Sequence, residues 1–221
     1  MKKRNTFSLL LVLLLIVGVV IVGCGKKEEE KKTDYMILVN KEHKLPEDWT
    51  DRIELVDYTN GLGETVKIEK KAAKAFEELR EDLSKEYTDF KIEADSTYRS
   101  VERQQEIWDQ FLEEHGEEYT KKYVAVPGTS EHHTGLAIDI KLDKNGVIVY
   151  DNDEMTAEKD IFAKIHAKLA DYGFILRYPV GKEDVTGYGS EVWHFRYIDD
   201  KEIAKEIMDK GITLEEYLEN K

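Results

Sequence analysis

The chain has 221 residues, 47 acidic against 33 basic, for a formal net charge of −14, and 41% of its residues are hydrophobic. That length and apolar content suit one globular domain with a sizeable core. So acidic a balance excludes nucleic acid as a partner, and excludes charge-driven adhesion to anionic lipid or wall polymers.

The first element is a leader: Lys2, Lys3 and Arg4, an apolar run from Phe7 to Val22, then Gly23-Cys24. A basic start followed by an apolar middle reads as an export signal. Ile21-Val22-Gly23-Cys24 looks like a bacterial lipoprotein cleavage box, in which the cysteine takes lipid and becomes the new N-terminus. The run is also close to the length of about 18 residues at which a spanning helix becomes plausible, so an uncut membrane helix is the alternative. Either way the basic start favours a cytoplasmic N-terminus and places the remainder outside the cell membrane. Cys24 is the only cysteine, so the exported part has no disulfide and relies on its core or on a metal. Without residues 1–23 the formal charge becomes −17, the leader's three basic residues making the difference. The expected division is a signal over 1–23, a lipidated Cys24 with a charged tether over 24–34, and a catalytic domain over 35–221.

Gly25 to Thr33 carry charge and no apolar residue, as a tether does. The alternating stretch Tyr35-Met36-Ile37-Leu38-Val39 opens the folded part, and Pro46 marks a loop. Ala72, Phe76, Leu79, Leu83 and Tyr87 recur at helical spacing and predict an amphipathic helix over about 69–86. Ser100 is a good N-cap for a second helix, with Ile107, Trp108, Phe111 and Leu112 turned inward. A third is expected from about Thr156, with Ile161, Phe162, Ile165 and Leu169 on one face and Gly173 as its stop. Thr213 and Glu216 form a capping box for a terminal helix. Strands are expected over 91–94, 136–142, 147–150 and 192–197. In the second of these Leu136, Ile138, Ile140 and Leu142 alternate with Ala137, Asp139 and Lys141, which sends one face into the core and Asp139 into a cleft. Lys144-Asn145-Gly146 reads as a hairpin turn. The sum is an α+β domain, a small and mainly antiparallel sheet flanked by helices, with a cleft on the sheet.

Two segments carry the chemistry, Ser130-Glu131-His132-His133-Thr134-Gly135-Leu136-Ala137-Ile138-Asp139 and Glu191-Val192-Trp193-His194. A catalytic zinc takes three protein ligands and keeps a fourth position for water, whose pKa falls to about 7. His132, Asp139 and His194 would be those ligands, holding the zinc in the cleft on the sheet and leaving Glu191 as the base. A histidine and an aspartate seven apart mean little alone; fixed serine, glycine and alanine offsets, and the second segment, give them weight. On one continuous strand His132 and Asp139 would face opposite ways, so His132 belongs in a loop that Gly135 bends. Glu191 and His194, three apart, need a bulge or loop to converge, with Trp193 turned away to pack. His133 is expected beside the site rather than on the metal, and His43, His115 and His166 are structural.

These motifs resemble those of the VanY-type zinc D-alanyl-D-alanine carboxypeptidases, SxHxxGxAxD followed by ExxH. Ser96-Thr97-Tyr98-Arg99-Ser100 with Gln104 is similar to the family's SxYRSxxxQ, and Leu38-Val39-Asn40-Lys41 and Tyr172 to Pro179 extend the likeness over residues 35–197. Val192 stands where a proline is common. The resemblance implies one zinc ion, catalytic roles for Glu191 and Arg99, and Ser130 and Gln104 holding the peptide's backbone or terminal carboxylate. Arg177 and Lys182 would line the cleft or be solvated surface charges. The substrate implied is the peptidoglycan stem peptide, losing its terminal D-alanine to a monomer anchored by lipid at the membrane. An L,D-carboxypeptidase, or a D,D-dipeptidase or endopeptidase, would share the same metal chemistry. A wall-binding module with a structural zinc is the non-catalytic alternative, against which Glu191 and Arg99 count.

Overall fold

The computed structural model describes residues 32–221, so the leader, Cys24 and most of the tether lie outside the described residues. Strands β1 (Leu55–Thr59) and β2 (Thr65–Glu69) form an antiparallel hairpin that runs straight into α1 (Lys70–Glu86). Glu69 makes that junction sharp, because its carboxylate accepts the amides of Lys71 and Ala72 that the first turn cannot satisfy. The predicted stripe of Ala72, Phe76, Leu79 and Leu83 is buried.

The chain then forms β3 (Lys91–Ala94), α2 (Val101–His115), α3 (Glu117–Tyr123), β4 (Ala137–Lys144) and β5 (Val147–Val149). It continues through α4 (Asn152–Ala157), α5 (Lys159–Leu169), β6 (Phe174–Tyr178), α6 (Glu183–Thr186), β7 (Glu191–Tyr197), α7 (Lys201–Lys210) and α8 (Leu214–Glu219). The larger sheet has the order β3-β4-β7-β6, with β5 also paired to β4, and every pairing is antiparallel. This is the expected α+β class. Leu136, Ile138, Ile140 and Leu142 enter the main core with Phe76, Phe162, Ile165 and Phe195. Each such side chain, fully buried, contributes about 1.5–3 kcal/mol. A second core joins Ile175 of β6 to Ala204 and Ile207 of α7 and to Leu214 and Tyr217 of α8. Asn145 and Gly146 both have positive φ, 56° and 88°, as the predicted hairpin turn requires.

Two expectations need correction. The third helix is two: Asp151 caps α4 through the amides of Asp153 and Glu154, and Glu158, at φ −80° and ψ 46°, leaves helical geometry before α5. More consequentially, α2 begins at Ser100 as expected, yet its one buried residue is Gln104; Ile107, Trp108 and Phe111 are half-buried and Leu112 is exposed. No helix among the described residues is long and apolar enough to cross a membrane.

Candidate metal centre

His132 sits on a single 3-10 turn, Glu131–Thr134, which closes on Gly135 at φ 70°. A side chain there would be strained, and its Cβ would come within 2.8 Å of Leu55 Cδ2. The Gly135 carbonyl accepts the Glu69 amide, and the buried Trp49 indole N–H donates to the Thr134 carbonyl, so the turn is fastened on both sides. His132 Nδ1 lies 2.8 Å from the Thr97 carbonyl oxygen and must carry the proton it donates there. Nε2 therefore presents its lone pair inward, 3.1 Å from Asp139 Oδ2. Burial lowers the pKa of this imidazole and keeps it neutral.

Asp139 and His194 meet because β4 and β7 pair them directly opposite each other, which puts both side chains on one face. His194 Nδ1 is 2.8 Å from Asp139 Oδ1. Further along β7 the pairing with β6 slips: Leu176 is opposite Phe195, whereas Tyr178 is opposite Glu191. Two more residues are used on β7 than on β6. That irregularity is the bulge the three-residue spacing demanded, and it returns Glu191 to the His194 side, Oε2 to Nδ1 3.6 Å. Val192 and Trp193 pack on the main core, and His166 Nε2 bonds the Val192 carbonyl at 2.8 Å.

One ligand atom from each of His132, Asp139 and His194 can be chosen so that all lie within 4.8 Å of one another. The donor set fits a divalent cation. Each histidine has its outer nitrogen held by an acceptor, Thr97 O for His132 and Glu131 Oε2 at 3.2 Å for His194, as ligating imidazoles require. The two histidine side chains are 6% and 3% exposed, against 20% for Asp139 and 29% for Glu191, so the open edge is the carboxylate edge. Without a cation a proton takes its place. Burial lowers the His194 pKa, but Asp139, Glu131 and Glu191 outweigh it and raise the value to about 10. Metal binding should then displace about one proton, and affinity should weaken about tenfold per unit as the pH falls. Calorimetric titration with Zn2+ in buffers of different ionisation enthalpy measures this directly; an affinity flat between about pH 6 and pH 8 would show His194 already neutral.

Arg99 is held by its backbone to both neighbouring histidines. Its amide donates to the His132 carbonyl at 3.1 Å, and its carbonyl accepts from His133 Nδ1 at 2.6 Å. His133 Nε2 accepts the Gly128 amide, so this ring is a neutral strut and not a ligand. Burial lowers the pKa of the Arg99 guanidinium against the opposing charges of Asp139 and Glu191, and its buried Nε has no partner. A cavity of about 270 Å³ opens beside Tyr98, Arg99 and His133, walled by Leu45, Pro46 and Trp49. Gln104 is buried, its Nε2 donating to the Ala125 carbonyl at 2.7 Å and its Oε1 unpartnered. Ser130 is buried at the start of the His132 turn.

Sequence reasoning gave no role to Glu131, which is fully buried. Its Oε1 accepts from Arg177 Nε at 2.6 Å and Arg196 Nη1 at 2.8 Å, while Oε2 faces His194. Arg177 also grips Glu215 of α8 with both terminal nitrogens, and Arg196 Nη2 donates to the carbonyls of Tyr35 and Ile37. Arg177 is thus neither a cleft wall nor a solvated charge, and Lys182 pairs with Glu216. The available signal was an arginine set among apolar and aromatic residues in both Phe-Ile-Leu-Arg-Tyr and His-Phe-Arg-Tyr.

A structural zinc closes its coordination with four protein ligands, whereas two imidazoles and one carboxylate with a solvent-facing edge leave a position for reaction. The class is that of the mononuclear metallohydrolases. Residues 65–200 match the family described as VanY, D-alanyl-D-alanine carboxypeptidase, and the chain belongs to that family. It is 38% identical over 188 residues to the putative carboxypeptidase YodJ of Bacillus subtilis (strain 168), spanning 83% of this chain and 67% of the relative. Among solved structures it resembles VanY of a VanB-type vancomycin-resistance cassette in complex with Zn(II), at 30% identity and a TM-score of 0.68, over 83% of this chain and 98% of the other. It also resembles the LdcB LD-carboxypeptidase, at 38% identity and a TM-score of 0.66, over 82% and 84% of the two chains.

Proposed function

We propose that this chain is a zinc-dependent D-alanyl-D-alanine carboxypeptidase that trims the terminal D-alanine from peptidoglycan stem peptides. The observation that carries the reading is the meeting of His132, Asp139 and His194, with Glu191 3.6 Å from His194 but outside the ligand set. Zinc held there supplies Lewis-acid polarisation of the scissile carbonyl and acidifies water. Glu191, on the open edge, takes the proton from the attacking water and returns it to the departing amine. Arg99 stabilises the negative charge that develops on the carbonyl oxygen, a permanent cation whose Nε is still free to donate. Ser130 and Gln104 hold the peptide. The Gln104 amide gives one N–H to Ala125 and keeps a second N–H and its unpartnered Oε1 for the peptide.

A monomer anchored through lipid on Cys24 would work at the outer face of the bacterial cell membrane, beside its substrate. Labelled palmitate should enter the wild-type chain and not Cys24→Ala; equal labelling would remove the anchor. Cleavage of an L,D bond is the second reading, favoured by the higher identity to LdcB than to the VanY structure. Pentapeptide, tetrapeptide and D-Ala-D-Ala dipeptide assayed side by side decide between them. D-alanine release from pentapeptide, stopped by a chelator and restored by Zn2+, is expected. Release from tetrapeptide alone would replace the D,D assignment with the L,D one.

A further inference from the structure

The helical hairpin α2–α3 is built to contact something other than the cores. Of its apolar side chains Leu112, Tyr119 and Tyr123 are 40%, 44% and 48% exposed, and Ile107, Trp108 and Phe111 only half-buried. None of them belongs to either core. Leaving large apolar side chains in water forgoes stabilisation, and a contiguous patch of them marks an interaction surface.

The patch has order. Phe111, His115, Tyr119 and Tyr123 follow one another at intervals of four across the helix junction, with ring centroids 5.4, 4.7 and 4.6 Å apart. The row runs toward the metal centre. A Cβ placed on Gly189 would lie 3.9 Å from the Tyr123 ring, and Gly189 is two residues from Glu191. Lys41 ties the same end down, its Nζ donating to the Lys121 carbonyl and lying 4.6 Å from the centre of the Tyr188 ring.

We propose that this aromatic row docks the uncharged strand of β-linked N-acetylated amino sugars from which the stem peptide hangs. The inference rests on the carboxypeptidase reading. Two residues of chain span at most about 7 Å and a five-residue stem at most about 18 Å, so a peptide with its terminal bond at the triad brings its sugar end within reach of Tyr123. Aromatic faces stack on the C–H faces of pyranose rings, and phenolic hydroxyls bond sugar hydroxyls and acetamides. Charge points the same way: Glu117 and Glu118 offset Lys121 and Lys122, and the acidic chain as a whole disfavours an anionic polymer.

The test pairs the wild-type chain with the exposed double variant Tyr119→Ala/Tyr123→Ala. The probes are free pentapeptide, the same pentapeptide on isolated glycan strands, and a hexamer of β-1,4-linked N-acetylglucosamine. The variant should raise KM on the strand-borne substrate about fivefold or more with kcat retained, and should hydrolyse free pentapeptide as the wild type does. The hexamer should change the aromatic fluorescence of the wild type and not of the variant. An unchanged KM on strands, an equal shift on both substrates, or a wild type indifferent to the hexamer would overturn the proposal. So would a concentration-dependent dimer in sedimentation that the variant abolishes, since the row would then join two copies. If the wild type fails to cut free pentapeptide, the carboxypeptidase reading falls, and the hexamer titration still judges the docking face.

Discussion

Replacing Glu191 by alanine is expected to lower kcat/KM on pentapeptide by about 10²–10⁴-fold while leaving the metal content of the chain unchanged. Its carboxylate is beside the three donors but is not one of them. Burial, with Asp139 close by, pushes its pKa up to about 7 against the lowering effect of His194 and Arg99. A group balanced there can accept a proton and give it back within one turnover. Glu191→Gln should fail as badly as Glu191→Ala, because the amide keeps the shape and loses the proton chemistry. Steady-state kinetics beside elemental analysis for zinc reads both halves. Activity within about tenfold of wild type would remove Glu191 as the base, and metal lost together with activity would make it a ligand.

Glu131→Gln should destabilise the fold by about 3–5 kcal/mol at neutral pH, because Arg177 and Arg196 would stay buried short of a counter-charge. The same change should weaken metal binding by about 10–100-fold, since the carboxylate orients His194 from behind. Burial raises the Glu131 pKa, but the two arginines outweigh it and hold the carboxyl well below its ordinary value of 4.5. A folded-state pKa below the unfolded one gives stability that is complete above the unfolded value and is lost as pH falls beneath it. Glu215, lowered by Arg177, adds to the same acid-side loss. Urea unfolding at pH values on either side of about 4.5 should therefore show a steep decline in the wild type and a shallower one in Glu131→Gln. A cost below about 1 kcal/mol would mean that the arginines find other partners.

How far the sequence could be read depended on how local the cause was. The alternation from Leu136 to Leu142 and the spacing from Ala72 to Leu83 each report burial against a neighbouring layer, and both elements formed where expected. The loop at His132 and the bulge before His194 followed from a conflict between residue spacing and strand geometry. Partners were harder. The spacing of Ile107, Trp108, Phe111 and Leu112 predicts a helix, but periodicity is silent on what the apolar side meets. The apolar settings of Arg177 and Arg196 hint at burial, but their partners could not be read because Glu131 and Glu215 reach them only through the fold. Strand β6 was missed because Phe174, Ile175 and Leu176 form a continuous apolar run, which has no alternation to betray it.

The relay from Glu215 through Arg177 and Glu131 to His194 ties the metal centre to a helix remote from it in sequence. Glu215 lies in α8, after every metal donor in chain order. A variant truncated before α8 would keep all three metal donors and the base, yet Arg177 would lack its second carboxylate and Glu131 would be less firmly seated behind the histidine. Shortening the chain before α8 should therefore weaken the hold on the ion without touching a ligand, a loss that metal titration of the truncated and full chains would measure.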